Sequence, residues 1–192
     1  MAGPQMAYGQ NFSKQEPGDS ADMLEAKLWA NPCPFTFRIN YLALLYNTPL
    51  YSWIQDTYGL KRPEYVVLYS LALADGGSAR DVADTSGFPK NTLSRAIKRL
   101  ELMGLIEARG KAPGGRRAQA LFLSEKGWDV VNATRPIFAA QEQRMLKTLT
   151  KGERQMLFEL MSKVVRDAQD WAGDLPELAR TGLVNEEKGT PQ

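Results

Sequence analysis

The stretch Asn91-Thr92-Leu93-Ser94-Arg95-Ala96-Ile97-Lys98-Arg99-Leu100-Glu101, followed at once by Gly104-Leu105-Ile106, constrains this chain more than any other. Leu93, Ile97 and Leu100 recur at i, i+4 and i+7, the period of a helix with one apolar stripe, while Asn91, Arg95, Lys98 and Arg99 fall away from that stripe. One face packs and the other is cationic. A lone helix of this kind is commonly no more than a solvated surface element, so its flanks have to decide what it is for.

On the N-terminal side, Ser78 can cap a short helix, Ala79 to Thr85, whose Val82 and Ala83 face inward. Ser86-Gly87-Phe88-Pro89 then makes a tight connector into the helix that starts at Lys90. Two short helices joined by a glycine-containing turn, the second one basic, form a helix-turn-helix signature. On the C-terminal side, Ile106 to Arg109 and Gln119 to Leu123 read as short strands around Gly110-Lys111-Ala112-Pro113-Gly114-Gly115-Arg116-Arg117-Ala118. That loop is too rich in Gly and Pro to be helical, so the unit is a hairpin with a flexible basic tip, a wing.

The net charge of +2 becomes informative only when localised: residues 88 to 120 carry eight Lys/Arg against two Glu, a local +6 that leaves the remainder at −4. A basic patch on an otherwise acidic chain is the electrostatic footprint of a polyanion binder. The 192 residues hold no His and one Cys, which removes His-based zinc sites and Ser-His-Asp or Cys-His nucleophiles, so no cofactor and no catalytic constellation is expected. A single thiol makes no internal disulfide and suits a reducing cytosol. Without an apolar run of membrane length or a signal-peptide pattern, the chain reads as cytoplasmic, with no membrane partner. Cys33, between Pro32 and Pro34, has no cationic neighbour nearer than Arg38 to lower its pKa, and reads as an ordinary thiol rather than an oxidant sensor.

Around this centre the chain is helical. Phe35 to Tyr58 is a long aromatic-rich helix, bent at Pro49 and ended by Gly59. Pro63 opens the next helix, to Ala74, with Val66, Val67, Leu68 and Leu71 as core contacts. Ser124-Glu125 starts a helix that bends near Pro136, and Thr150-Lys151-Gly152-Glu153 is a capping box opening the last one. There Leu157, Met161, Val164, Ala168 and Trp171 recur at the spacings of a seam between helices. Residues 1–33 read as a mobile tail with room for a short helix at Ala21 to Ala30, 34–172 as the folded domain, and 173–192 as a second tail. The fold class expected is mostly α with a small antiparallel β-wing, a winged helix-turn-helix plus terminal helices that form a dimerisation region.

The order of these elements resembles the MarR family of winged-helix transcriptional regulators over residues 35 to 172. The likeness is sharpest at Thr92 to Ile106, similar to the family's recognition helix and first strand, and at Arg116-Arg117-Ala118 through Leu121-Phe122-Leu123-Ser124-Glu125-Lys126-Gly127, similar to its wing and the following cap. By that resemblance Arg95 reads guanine in the major groove of double-stranded DNA, the alternatives being a phosphate contact or an ion pair within the molecule, and Asn91 pairs with adenine or reaches a phosphate. Thr92, Ser94, Lys98 and Arg99 clamp phosphates, and Arg116 and Arg117 reach the minor groove or its rims. Three positions depart from the family pattern: Gly115 stands where the wing usually carries an acid, Lys98 where an acid is common, and Arg62 where Thr or Ser usually precedes the second helix.

One such module covers too little DNA for specificity, so the resemblance implies a homodimer on a pseudo-palindromic operator, joined through the helices 35–58 and 157–172. It also implies a repressor released by a small aromatic or phenolic ligand, for which Tyr41, Tyr46, Trp53, Tyr65 and Tyr69 are candidate pocket residues; the same stripe also reads as plain core. The alternative is a winged-helix module for protein-protein assembly without sequence-specific DNA binding. The cations concentrated on one helix and one loop argue against it.

Overall fold

In the computed structural model, which describes residues 23–112, 118–168 and 172, Pro34 opens the 25-residue helix α2 (Pro34–Tyr58). A proline ring suits the first turn because that position has no intrahelical acceptor to lose. The helix continues through Pro49 and is closed by Gly59, whose left-handed φ of 66° lets its N–H return to the Gln55 carbonyl at 2.9 Å. Ahead of it, α1 (Met23–Trp29) occupies the stretch where the sequence leaves room for a short helix, with the Arg38 guanidinium stacked 4.9 Å over the Trp29 ring.

Helix α3 (Arg62–Leu73) begins one residue earlier than its Pro63 suggests. Arg62 is its first residue, not the cap, and Lys61 takes the cap position. An ammonium has no acceptor to offer, so only one half of a reciprocal cap forms: the Lys61 N–H donates to the Glu64 carboxylate at 2.6 Å. Helix α4 (Ala79–Ser86), the turn at Gly87 and helix α5 (Lys90–Leu102) follow, then the antiparallel strands β1 (Ile106–Lys111) and β2 (Gln119–Leu123). Ile106 pairs with Leu123 and Arg109 with Ala120, with a register shift between Arg109 and Lys111. The α3–α4 loop extends this ribbon, since Gly76 N–H donates to Leu121 C=O at 2.9 Å and Leu121 N–H to Gly77 C=O at 3.0 Å.

Helix α6 (Glu125–Met145) is tied to the root of the wing by one hydroxyl. Ser124 Oγ accepts from Gly127 N–H at 3.0 Å and donates to Gly104 C=O at 2.7 Å. The buried core gathers Ile54 and Leu60 at the end of α2 with Val67, Leu68, Leu71, Leu93, Leu100, Leu105, Ile106 and Val131. Tyr65 lies inside it, its ring stacked on Phe138 at 5.0 Å and its hydroxyl bonded to Thr134 Oγ1 at 2.7 Å. Burial pushes that phenol up to about 12.

The chain divides into two compact units, Met1–Glu142 and Gln143–Gln192. In the second, Thr150 and Glu153 complete the expected capping box ahead of α7 (Lys151–Arg166): Thr150 N–H donates to the Glu153 carboxylate at 2.7 Å, and Glu153 N–H to Thr150 Oγ1 at 3.3 Å. No residue of α7 is buried. Among the described residues, no helix is long and apolar enough to cross a membrane, and no cluster of His, Cys, Asp and Glu could hold a metal.

Candidate nucleic-acid interface

The interface begins with how α4 and α5 are held. Ser78 and Asp81 cap α4 reciprocally, with Ser78 N–H donating to the carboxylate at 2.7 Å and Asp81 N–H to Ser78 Oγ at 3.2 Å. The Ser78 backbone and hydroxyl donors hold the Asp81 carboxyl below the usual carboxylate range. Gly87 turns the chain at φ 70°, a conformation that side chains with a Cβ rarely adopt, and Pro89 leads into α5.

Helix α5 buries Leu93, Ala96, Ile97 and Leu100, so the stripe read from the sequence is the stripe that packs. Asn91, Ser94, Arg95 and Lys98 are exposed and Thr92 is half-buried. Arg95 lies along its own helix, Nε donating to Asn91 C=O at 3.3 Å, and Ser94 Oγ is turned back to Lys90 C=O at 2.9 Å. Among the described residues neither Arg95 nor Lys98 has an ion-pair partner. An exposed row of cationic and amide side chains on a helix anchored from behind is what a major groove accommodates.

Arg99 is placed differently. Its Nη1 pairs with Glu64 Oε1 at 3.2 Å and its Nη2 donates to Gly59 C=O at 3.1 Å. Of the six α5 positions singled out, it is the one whose charge is engaged inside the molecule. Its partners were not legible in the sequence, because Gly59 lies 40 residues away along the chain and Glu64 sits on a different helix. In the wing, Arg109 pairs with Glu107 at 2.8 Å and lies 6.0 Å over the Phe122 ring, and Lys111 is exposed. Arg116, Arg117 and Gly115 lie outside the described residues.

Of the five aromatic candidates, Tyr46 and Tyr65 pack against Phe138 and Tyr69 against Tyr65, while Tyr41 and Trp53 pack elsewhere on α2. Tyr65 is core; Tyr46 donates from its hydroxyl to Phe138 C=O at 3.1 Å; Trp53 packs edge-on to Tyr58 at 6.0 Å; Tyr69 stacks on Tyr65; Tyr41 stacks on Phe37. A groove of about 610 Å³ instead runs along α2 beside Asn40, Leu44, Asn47, Thr48, Tyr51 and Arg62, and none of the five lines it. The Arg62 guanidinium sits 5.2 Å over the Tyr51 ring and 5.7 Å over Phe88, the residue between α4 and α5. No local pattern in the sequence brings Arg62 to Phe88.

Residues 58–118 match the MarR family model. The transcriptional regulator HosA of Escherichia coli O111:H- is 24% identical over 113 residues, covering 59% of this chain and 83% of that protein. Among solved structures, a MarR family transcriptional regulator from Listeria monocytogenes in complex with a 26mer DNA superposes with a TM-score of 0.65 at 23% identity, over 77% of this chain and 95% of that one. A Mycobacterium tuberculosis MarR family protein in complex with salicylic acid superposes with a TM-score of 0.54 at 19% identity, over 70% and 98%.

Proposed function

We propose, for a chain whose residues 58–118 are a MarR-family segment and whose fold is that of the family's winged-helix structures, that it regulates transcription by reading a specific DNA site. The observation that carries this reading is α5 itself: a helix with its apolar stripe buried and Asn91, Arg95 and Lys98 exposed together. Arg95 reads a guanine with its bidentate fork, Asn91 an adenine edge or a phosphate, and Thr92, Ser94 and Lys98 hold phosphates that set the register. Arg116 and Arg117 act from the wing on the minor groove. Two copies related by a twofold axis present their α5 helices one DNA turn apart, about 34 Å, and so read a pseudo-palindrome. The role is repression, in the cytoplasm and without catalysis.

The effector we assign is a small aromatic or phenolic acid, and its seat is the α2 groove beside Tyr51 and Arg62. Arg62 offers that groove a guanidinium already stacked on Tyr51, a pairing suited to a planar anion. The salicylic acid complex of the Mycobacterium tuberculosis protein supports the ligand class. Arg62 also touches Phe88, so an anion that draws it away disturbs the residue that leads into α5.

A gel shift against the DNA upstream of the reading frame, at two salt concentrations and beside a scrambled duplex, tests the reading. Preference for the upstream DNA at both salts is expected, because base contacts survive the screening that weakens phosphate contacts. Equal, wholly salt-sensitive binding to both duplexes, or none, leaves the assembly-module alternative. A panel of aromatic acids that shifts neither DNA affinity nor melting temperature removes the effector.

A further inference from the structure

We propose that Arg99 is a positioning residue rather than a phosphate clamp: it pins the reading helix α5 to the corner between α2 and α3 through Glu64 and Gly59. The proposal rests on the DNA-binding reading above and departs from the family-based role for this one residue. The Glu64 side chain is only 6% exposed, and its two oxygens have separate partners. Oε2 accepts the Lys61 N–H at 2.6 Å and so starts α3, while Oε1 faces Arg99 Nη1 at 3.2 Å. Arg99 Nη2 reaches the carbonyl of Gly59, the residue that ends α2, at 3.1 Å. One planar guanidinium therefore bridges the end of one helix, the start of the next and the side of α5.

Drawing Arg99 out to a phosphate would leave a buried carboxylate without its countercharge, a costly state. The demand is also for a fork: two nitrogens held apart in one plane each meet their own acceptor, a spacing that the single nitrogen of an ammonium does not supply. Lys98, next in sequence, is exposed and has no ion-pair partner among the described residues, so a cation for the phosphate is present without Arg99. Because Gly59 ends α2, a displacement of that helix is passed to α5, and hence to Arg95, through this bond.

The test is binding of the full chain to a duplex that the wild-type protein selects from a random pool and to its scrambled counterpart, across a salt series. The variants are Arg99→Gln, Arg99→Lys, Glu64→Gln and the Arg99→Gln/Glu64→Gln double. Each single change is expected to cut affinity for the selected duplex about tenfold, while scrambled-DNA affinity and the salt slope stay as in the wild type. The double variant should be no worse than the weaker single, because both break the same ion pair. Arg99→Lys should behave as Arg99→Gln does.

Rescue of binding by Arg99→Lys would overturn the proposal. So would a salt slope lowered by about one per half-site in Arg99→Gln with Glu64→Gln unaffected, since that is the signature of a phosphate contact. Melting curves separate misfolding, and Glu64→Gln, which keeps the shape and the acceptor for Lys61, is the mildest variant. A wild-type protein that selects no duplex fails the DNA-binding reading itself, a result distinct from either of these.

Discussion

Arg95 and Lys98 lie three residues apart on the exposed side of one helix, yet the geometry of their donors suits them to different contacts. A guanidinium can satisfy two acceptors of a guanine edge, whereas an ammonium acts as a point charge. Arg95→Ala should therefore cost about 1–3 kcal/mol per half-site and relax preference at one symmetric base position. Lys98→Ala should weaken binding to all sequences alike and lower the salt slope by about one for each phosphate that the ammonium neutralises. Titration of both variants against selected and scrambled duplexes checks this; an Arg95→Ala protein with unaltered preference removes the base-reading assignment. Both residues were legible from the sequence, because their exposure follows from the period that buries Leu93, Ile97 and Leu100. Arg99 shares that period, and the sequence groups it with them; only the fold brings Glu64 and Gly59 against it.

Elements in this protein are fixed by their ends, and two substitutions at glycines expose the difference between local preference and packing. Alanine is worth about 1 kcal/mol more than glycine within a helix, so propensity alone favours replacing Gly127 in α6. A Cβ there would run into the Leu105 carbonyl oxygen and stand 3.2 Å from Leu123 Cδ2, and a backbone atom of the wing root cannot swing aside. Gly127→Ala should lose about 3 kcal/mol of stability, at the upper end of overpacking costs, and blunt the thermal transition. Gly152 in α7 meets nothing within 4 Å, so Gly152→Ala should gain up to about 1 kcal/mol. A Gly127→Ala protein as stable as wild type would show that the wing root yields.

The α7 capping box carries a pH signature. The Thr150 hydroxyl, then its backbone N–H, holds the Glu153 carboxyl below its usual 4.5. A depressed carboxylate contributes stability that is present above its unfolded pKa and lost as pH falls through the folded value. The melting difference between wild type and Thr150→Ala should thus be full at neutral pH and shrink as pH falls below 4.5. A difference that is constant with pH would assign the cap's worth to the hydroxyl's acceptance of the Glu153 N–H rather than to its bond to the carboxylate.

At the scale of the molecule, each compact unit leaves apolar side chains in water. Leu44 and Leu45 on α2 are 64% and 55% exposed, and Met156 and Val165 on α7 are 63% and 66% exposed. Large apolar side chains left exposed in this way suit an interface, and self-association through a twofold axis is the expected means of covering them. Light scattering at micromolar concentration should return twice the chain mass, and changing Leu44 and Leu45 together to Lys should lower both that mass and DNA affinity. A monomer that still prefers its selected duplex would overturn the homodimer.

The sequence by itself determined the helices, the wing strands and the side of α5 that packs, because periodicity, caps and glycine-proline punctuation act over a few residues along the chain. It also determined the concentration of charge on α5 and the wing loop. Tertiary structure decided which members of that charged set are engaged within the molecule. It buried Tyr65 against Phe138 and Thr134, packed Tyr46 on Phe138 and Tyr69 on Tyr65, and brought Arg62 to Phe88 and Arg99 to Glu64. Those pairings join segments distant in sequence, and nothing local distinguishes a guanidinium that will meet a buried carboxylate from one that will meet solvent.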